Sequence, residues 1–402
     1  MEFEHDYEIV SFADTNMFKP ITIGNITLKH RVVMPPMARM RASFNEYVPN
    51  KNWAAIYYEQ RSKREGSMII TEAATIAAEA GGYDHAPGIW SEAQISEWKN
   101  IIQKIHNNKS YVWMQLISLG RQAGISSLSR DGLPYVSASD KLYMSERAKN
   151  DALKYKNTQH GLTIDEIKKY TGYFVTAAEN AINAGADGVE IHAAHGYLLG
   201  QFQDPISNER TDKYGGSIEN RSRFTLEVVD AVTKAVGAKR VGIRFSPYNT
   251  YGTMSGSKDP TLLSTFCYII GELEKRSREG NGLAYIHMTE PLKDDNPVKK
   301  DESQYFSDDG EGSNDFVYSI WKGPIIRTGE LVTNPRLSMK LLEDDRTLTG
   351  YGRYFLSTPD LVDRLEKGIP LNKFRHDLFY AVTAEGYIDY PTYEEAIALN
   401  WK

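Results

Sequence analysis

The chain has 402 residues, of which 41% are hydrophobic and 25% charged, with a formal net charge of −6. That is ordinary globular composition and enough chain to bury a core unaided, so disordered, collagen-like and disulfide-miniprotein readings fall away. The acidic balance gives no electrostatic reason to bind nucleic acid or an anionic membrane. One cysteine, Cys267, cannot form an internal disulfide and fits a reducing compartment such as the cytoplasm. The acidic start MEFEHDYEIV lacks the basic and apolar regions of a secretory signal, and residues 400–402 match no retention signal. No apolar run approaches the ~18 residues that a membrane span requires.

Short β-branched runs alternate with amphipathic stretches along the whole chain. The first strand is expected at 32–34 and a helix at 52–64; then a strand at 68–71 and a helix at 92–106. The third strand, 111–116, leads into an irregular stretch to about 160. A helix at 164–184 has Thr163 as N-cap, Glu166 at the capping-box position and Gly185 as its stop. Strand 188–191 precedes helix 218–236, and strand 240–245 precedes helix 261–278. Strands at 284–288, 324–327 and 347–351 follow, with short helices at 335–342 and 359–367. Strands that read as buried and alternate with helices imply an all-parallel sheet. Closure into a (β/α)8 TIM barrel, one domain over 1–402, is the economical architecture. An open doubly wound sheet would need a Gly-rich turn after its first strand, and none follows 32–34.

Two insertions, about 121–160 and 291–322, are long and polar. Both follow strand C-terminal ends, the face on which barrels carry chemistry, and read as lids or solvated loops. The acidic run 308–315 fails calcium-loop spacing and reads as a solvated loop.

The segment 189–197 holds the densest chemistry. His192 and His195 end a strand and suit an anion or carbonyl oxygen, a metal site lacking a third ligand, or plain structural hydrogen bonding. Tyr197, with an ordinary phenol pKa of ~10, is either a proton donor or a packed ring. Gly350-Tyr351-Gly352-Arg353 after the eighth strand and Thr328-Gly329-Glu330 after the seventh stand where barrels often bind phosphate. Glycines there let backbone N–H groups approach, and Arg353 adds a guanidinium. Arg244 falls inside a strand, where a barrel-interior cation needs an anion or a polar rim. Gln115 offers a planar amide suited to a heterocycle edge, or to backbone alone. Together these residues are what a flavin mononucleotide (FMN) redox site requires.

With these segments in view, the chain resembles the Old Yellow Enzyme family of flavin-dependent ene-reductases, most of all its fungal members. The likeness runs over about 18–401 and rests on RVVMPPMARMRA (31–42), GGYDHAPGIWS (81–91), YVWMQL (111–116), VEIHAAHGYLLGQF (189–202), DPISNERTDKYGGSIENRSRF (204–224), IWKGPIIRTG (320–329), GYGR (350–353) and DYPTYEEA (389–396). The resemblance implies FMN and NADPH as cofactors and an enone or enal as substrate. It implies that His192 and His195 hold the substrate's carbonyl oxygen, in a His-His version of a pair that is often His-Asn. It casts Tyr197 as proton donor, Gln115 and Arg244 as contacts of the flavin ring, and Pro36 and Met37 as backbone under the ring. Gly329, Gly352 and Arg353 match the phosphate site. Tyr83, Ile117 and Tyr380 match the substrate pocket, Ile117 standing where several relatives have Trp. Homodimers are common among members.

Three departures bear on chemistry. Ala38 stands where members usually have a Thr or Cys that hydrogen-bonds the flavin; with no donor, the flavin is expected to be harder to reduce. Ala73 stands at the flavin edge where Gly is frequent, and Glu330 beside the phosphate where close members have Asn. Two rivals are carried forward: a metal-dependent lyase or hydrolase built on the two histidines, and a non-catalytic flavin-binding sensor or interaction protein.

Overall fold

The inward positions of the expected strands switch from apolar to polar toward their C-terminal ends, and the fold explains why. The computed structural model describes residues 7–291 and 312–399. Eight strands form the barrel: β1 (Val32–Met34), β2 (Met68–Ile70), β3 (Tyr111–Ile117), β4 (Gly188–His192), β5 (Val241–Phe245), β6 (Tyr285–Thr289), β7 (Ile325–Thr328) and β8 (Thr347–Gly350). All neighbours are parallel, in the order β2-β1-β8-β7-β6-β5-β4-β3, and β2 pairs back onto β3, which closes the ring. The expected TIM barrel is the observed one.

Period-2 alternation divides each strand between two cores. Val33, Met68, Ile70, Trp113, Tyr285, Ile326 and Leu348 pack together inside the lower barrel. The Trp113 and Tyr285 rings meet edge to face at 5.0 Å. They fit because β4 and β5 each carry a glycine at that level: a Cβ on Gly188 would sit 2.5 Å from the Trp113 ring, and one on Gly242 2.3 Å from Tyr285. An antiparallel pair, Ile21–Ile23 with Ile26–Leu28, adds Ile23 and Leu28 to this cluster and plugs the barrel's N-terminal end. The sequence pattern had not shown this hairpin, whose strands are only three residues each.

The outward residues, among them Ile69, Val112, Met114, Val189, Ile191, Val241 and Ile243, pack under the helices. These are α1 (Ala54–Arg61), α2 (Glu92–Asn107), α3 (Ile164–Asn183), α4 (Ile218–Val236), α5 (Leu262–Arg276), α6 (Phe316–Ile320), α7 (Pro335–Leu341) and α8 (Leu361–Lys367). Helix α2 buries Trp98, Ile101, Ile102 and Ile105 on one face, and α4 buries Phe224, Val228, Val229 and Val232. Each such side chain contributes about 1.5–3 kcal/mol. The α3 capping box of Thr163 and Glu166 is present as expected, and Gly185 after it has φ +104°. None of the described helices is long and apolar enough to cross a membrane.

The insertions differ from expectation. Residues 121–160 contain helices Ile125–Arg130 and Glu146–Lys154 and a two-residue pairing of Val136–Ser137 with His160–Gly161. These pieces are too short to show a period. Most of 291–322 lies outside the described residues, as do 308–311 of the acidic run. Of the described remainder, Gly312, Ser313 and Asp315 are exposed, Asn314 is buried and donates to the Thr289 carbonyl at 2.9 Å, and 316–320 is the barrel's own α6.

Candidate active site

Above the apolar plug, the inward side chains form one polar network. Gln115 on β3 donates to Glu190 on β4 at 2.7 Å. The other Glu190 oxygen accepts from Tyr285 at 3.0 Å and pairs with His287 Nδ1 at 2.9 Å. His287 Nε2 meets Thr328 of β7 at 2.9 Å. Burial alone pushes the Glu190 carboxyl up, but His287, Arg244 and the Tyr285 hydroxyl outweigh it and hold it below the usual carboxylate range. One N–H of Gln115 is thus committed to Glu190 rather than available for a ligand.

Arg244, from β5, stands beside this carboxylate. Burial brings its guanidinium down to about 10, opposed by Glu190, so it stays charged at neutral pH. Its Nε is shielded from solvent and has no hydrogen-bond partner among the described residues. A shielded charged donor without an acceptor is costly, which marks the spot for an electron-rich ligand.

His192 ends β4, and its Nδ1 accepts the Ala194 N–H at 3.3 Å. That bond places the ring proton on Nε2, facing away from the strand. The His192 ring lies 5.6 Å from His195 and 4.9 Å from Tyr197, edge-on to both. Burial first, and the charge of Arg244 next, hold both imidazoles well below their ordinary pKa. They are neutral hydrogen-bond donors at physiological pH. Tyr197 is half-buried and packs against the cluster that contains Ile117 and Leu119, against which Ala73 and Tyr83 also pack. The structure therefore brings His192, His195 and Tyr197 together, with Ile117 and Tyr83 in the adjoining cluster. Tyr380 is 52% exposed, on a segment whose backbone is gripped by two buried arginines of the β1–α1 loop. Arg39 donates to Gly386 at 2.8 Å, and Arg41 to Thr383 at 2.7 Å and Phe379 at 3.2 Å.

The rim supplies the remaining expected positions. Pro36 is buried, Met37 half-buried and Ala38 exposed. Met37 Sδ lies 3.5 Å from where a Gly352 Cβ would sit, so the loops after β1 and β8 are in contact. Gly329 has φ +155°, and a Cβ there would come within 2.7 Å of Glu290. Glu290 itself is bound two-pronged by Arg327, which also meets Asp315 at 3.3 Å, so its charge is answered. Arg353 is exposed and makes no hydrogen bond or ion pair to any described residue; its field contributes, after burial, to a lowered His376 pKa. Glu330 is exposed at the same rim. A glycine-lined mouth beside the exposed Arg353 suits a phosphate, and the Arg244 donor suits a flavin ring, so the residues present fit FMN. Among the described residues no three His, Cys, Asp or Glu side chains cluster as metal ligands.

Two groups of residues escaped the sequence reading. Glu190 and His287 lie at inward strand positions, two residues beyond Gly188 and Tyr285, where period-2 counting would have found them; they meet Thr328, whose loop the sequence had marked for another role. Gln122, Gln201 and Ser246, which hold the backbone around His195, had no such signal.

Comparison with known proteins agrees with this geometry. The sequence model of the NADH:flavin oxidoreductase / NADH oxidase family matches residues 16–372. Enoate reductase 1 of Kluyveromyces lactis is 55% identical over 397 residues, covering 99% of each chain. A probable NADPH dehydrogenase of Candida albicans is 39% identical over 396 residues, covering 97% of this chain and 94% of that one. The crystal structure of Old Yellow Enzyme from Pichia sp. AKU4542 superposes with a TM-score of 0.88 at 39% identity, covering 95% of both. The chain belongs to the Old Yellow Enzyme family of NADH:flavin oxidoreductases, enzymes that work with FMN and NADPH.

Proposed function

We propose that this oxidoreductase reduces the activated C=C bond of α,β-unsaturated aldehydes and ketones, with NADPH as the electron source. The observation that carries the proposal is the convergence of two neutral imidazoles and one phenol next to Arg244, whose Nε has no hydrogen-bond partner among the described residues.

Arg244 and Gln115 would hold the flavin ring over the barrel mouth, with backbone at Pro36 and Met37 beneath it. Ala38 and Ala73 would line its edge, and Gly329, Gly352 and Arg353 would hold its phosphate. When bound, FMN supplies the redox chemistry, a hydride accepted from NADPH and passed to the substrate's β-carbon. His192 and His195 donate hydrogen bonds to the substrate's carbonyl oxygen. Negative charge grows on that oxygen as the alkene is reduced, so these donors bind the transition state more tightly than the ground state. Being uncharged, they polarise the carbonyl without giving up a proton to it. Tyr197 delivers its phenolic proton to the α-carbon and is reprotonated from solvent. Tyr83, Ile117 and Tyr380 would line the pocket.

The test is turnover of the FMN-loaded protein with NADPH and cyclohexenone, followed by product analysis. Saturated cyclohexanone formed in step with NADPH consumption supports the proposal. NADPH oxidation by oxygen alone, with the enone untouched, contradicts it.

A further inference from the structure

The backbone at His195 is in a conformation that a histidine rarely adopts. Its φ is +51°, in the left-handed region, and Gly196 beside it has φ +67°. Non-glycine residues enter this region at a steric penalty and persist there when their surroundings impose it. Here the surroundings are two side chains from other loops. The His195 N–H donates to Ser246 Oγ at 2.7 Å. The His195 carbonyl accepts from Gln122 Nε2 at 2.6 Å. Both peptide groups of one strained residue are therefore caught by side chains.

The turn is closely packed as well: Ala194 and Gly196 are buried, and a Cβ on Gly196 would come within 2.6 Å of the Tyr251 carbonyl and 2.8 Å of Met254. Gln122 itself is set for the task. It is buried, and its amide nitrogen lies 2.9 Å from where a Cβ on Gly196 would be and 2.6 Å from one on Gly252. Either position with a side chain would expel it. Ser246 is two residues beyond Arg244, and the Ala193 N–H donates to the Arg244 carbonyl at 3.0 Å. The clamp thus ties the histidine turn to the strand that carries Arg244.

We infer that Ser246 and Gln122 are positioning residues that hold His195 in its left-handed conformation, and so hold its imidazole beside His192 and Tyr197. The inference rests on the carbonyl-binding role proposed above. Neither side chain touches the substrate; each acts through the His195 backbone.

The experiment uses FMN-loaded Ser246→Ala, Ser246→Thr and Gln122→Met, with His195→Ala and the Ser246→Ala/His195→Ala double variant. Removing the hydroxyl should lower kcat/KM for cyclohexenone by about tenfold to a hundredfold, the range for a displaced catalytic group, with FMN content unchanged. Threonine keeps an oxygen acceptor and should restore most of the loss; Gln122→Met should behave as Ser246→Ala does. In the His195→Ala background, Ser246→Ala should have no further effect, because its target is gone. Independently of activity, backbone hydrogen exchange in a peptide spanning 193–198 should speed up in Ser246→Ala and Gln122→Met. Parental kcat/KM and unchanged exchange in both single variants would overturn the inference while leaving ene-reduction intact, as would losses that multiply fully with His195→Ala. A parent enzyme inert toward the enone would overturn the proposed function, and this inference with it.

Discussion

The lower and upper halves of one barrel interior are made by the same strands, only two residues apart on β3 and β6, and they behave oppositely. Below, Trp113, Tyr285, Met68 and Ile326 fill the space with rings and aliphatic chains, and the one polar atom of Trp113, its indole N–H, is buried without a partner among the described residues. Above, Gln115, Glu190, Arg244, His287 and His192 fill it with groups that must be hydrogen-bonded, and the Arg244 Nε is left without a partner. The lower half is built for stability alone. The upper half accepts an unsatisfied donor and strained backbone in exchange for a place to bind. Tyr285 joins the two, with its ring against Trp113 and its hydroxyl on Glu190.

The comparison breaks most readily at Tyr197. Replacing it by Phe keeps the ring against the cluster that contains Ile117 and removes the hydroxyl that carries the proton. Reoxidation of the reduced enzyme by enone should slow by about 10²–10⁴-fold, the range for general acid catalysis, while flavin reduction by NADPH stays near the parental rate. Stopped-flow absorbance resolves the two halves of the cycle, and equal loss in both would remove Tyr197 from this role. Trp113→Ala should do the reverse. Emptying the plug should cost about 3–5 kcal/mol in urea unfolding yet leave turnover per folded molecule intact. Turnover that falls without a loss of stability would show that the lower half is not merely structural.

Much of this division was legible in the sequence. The strand pattern placed all eight barrel strands, and the run 189–197 announced the paired histidines and the tyrosine. The hairpin at the barrel floor and the short helix Leu198–Gln203 were not legible, because three to six residues show no period. The Glu190–His287–Thr328 network was hidden for another reason: its members come from three strands and meet only when the ring closes. Ser246 and Gln122 look like ordinary loop residues until the φ of His195 is known.

A pH series sharpens the contrast at the barrel floor. Buried His30, beside Ser67 at 3.0 Å, has its pKa lowered to about 3, chiefly by burial and then by Arg64. The unfolded chain takes up a proton near the ordinary value of 6.5, and the folded one refuses it until about 3. Stability from this residue is therefore full above about 6.5 and drains as the pH falls, by about 1.4 kcal/mol per pH unit. His30→Gln should flatten the stability slope by about one proton between about pH 4 and about pH 6; an unchanged slope would contradict the assignment. The smallest expected effect lies at the rim. Ala38 carries no donor, so Ala38→Thr should speed flavin reduction by NADPH, by up to about tenfold for one added hydrogen bond. An unchanged or slower rate would show that position 38 does not reach the flavin.

The central claim is that the polar upper half of this barrel holds a flavin and presents a carbonyl substrate to His192, His195 and Tyr197. The direct measurement is the visible absorption of the FMN-loaded protein, followed anaerobically. The account predicts that NADPH bleaches the yellow colour and that cyclohexenone, added next, restores it. A protein that fails to retain FMN, or one whose bleached colour persists after the enone is added, would contradict it.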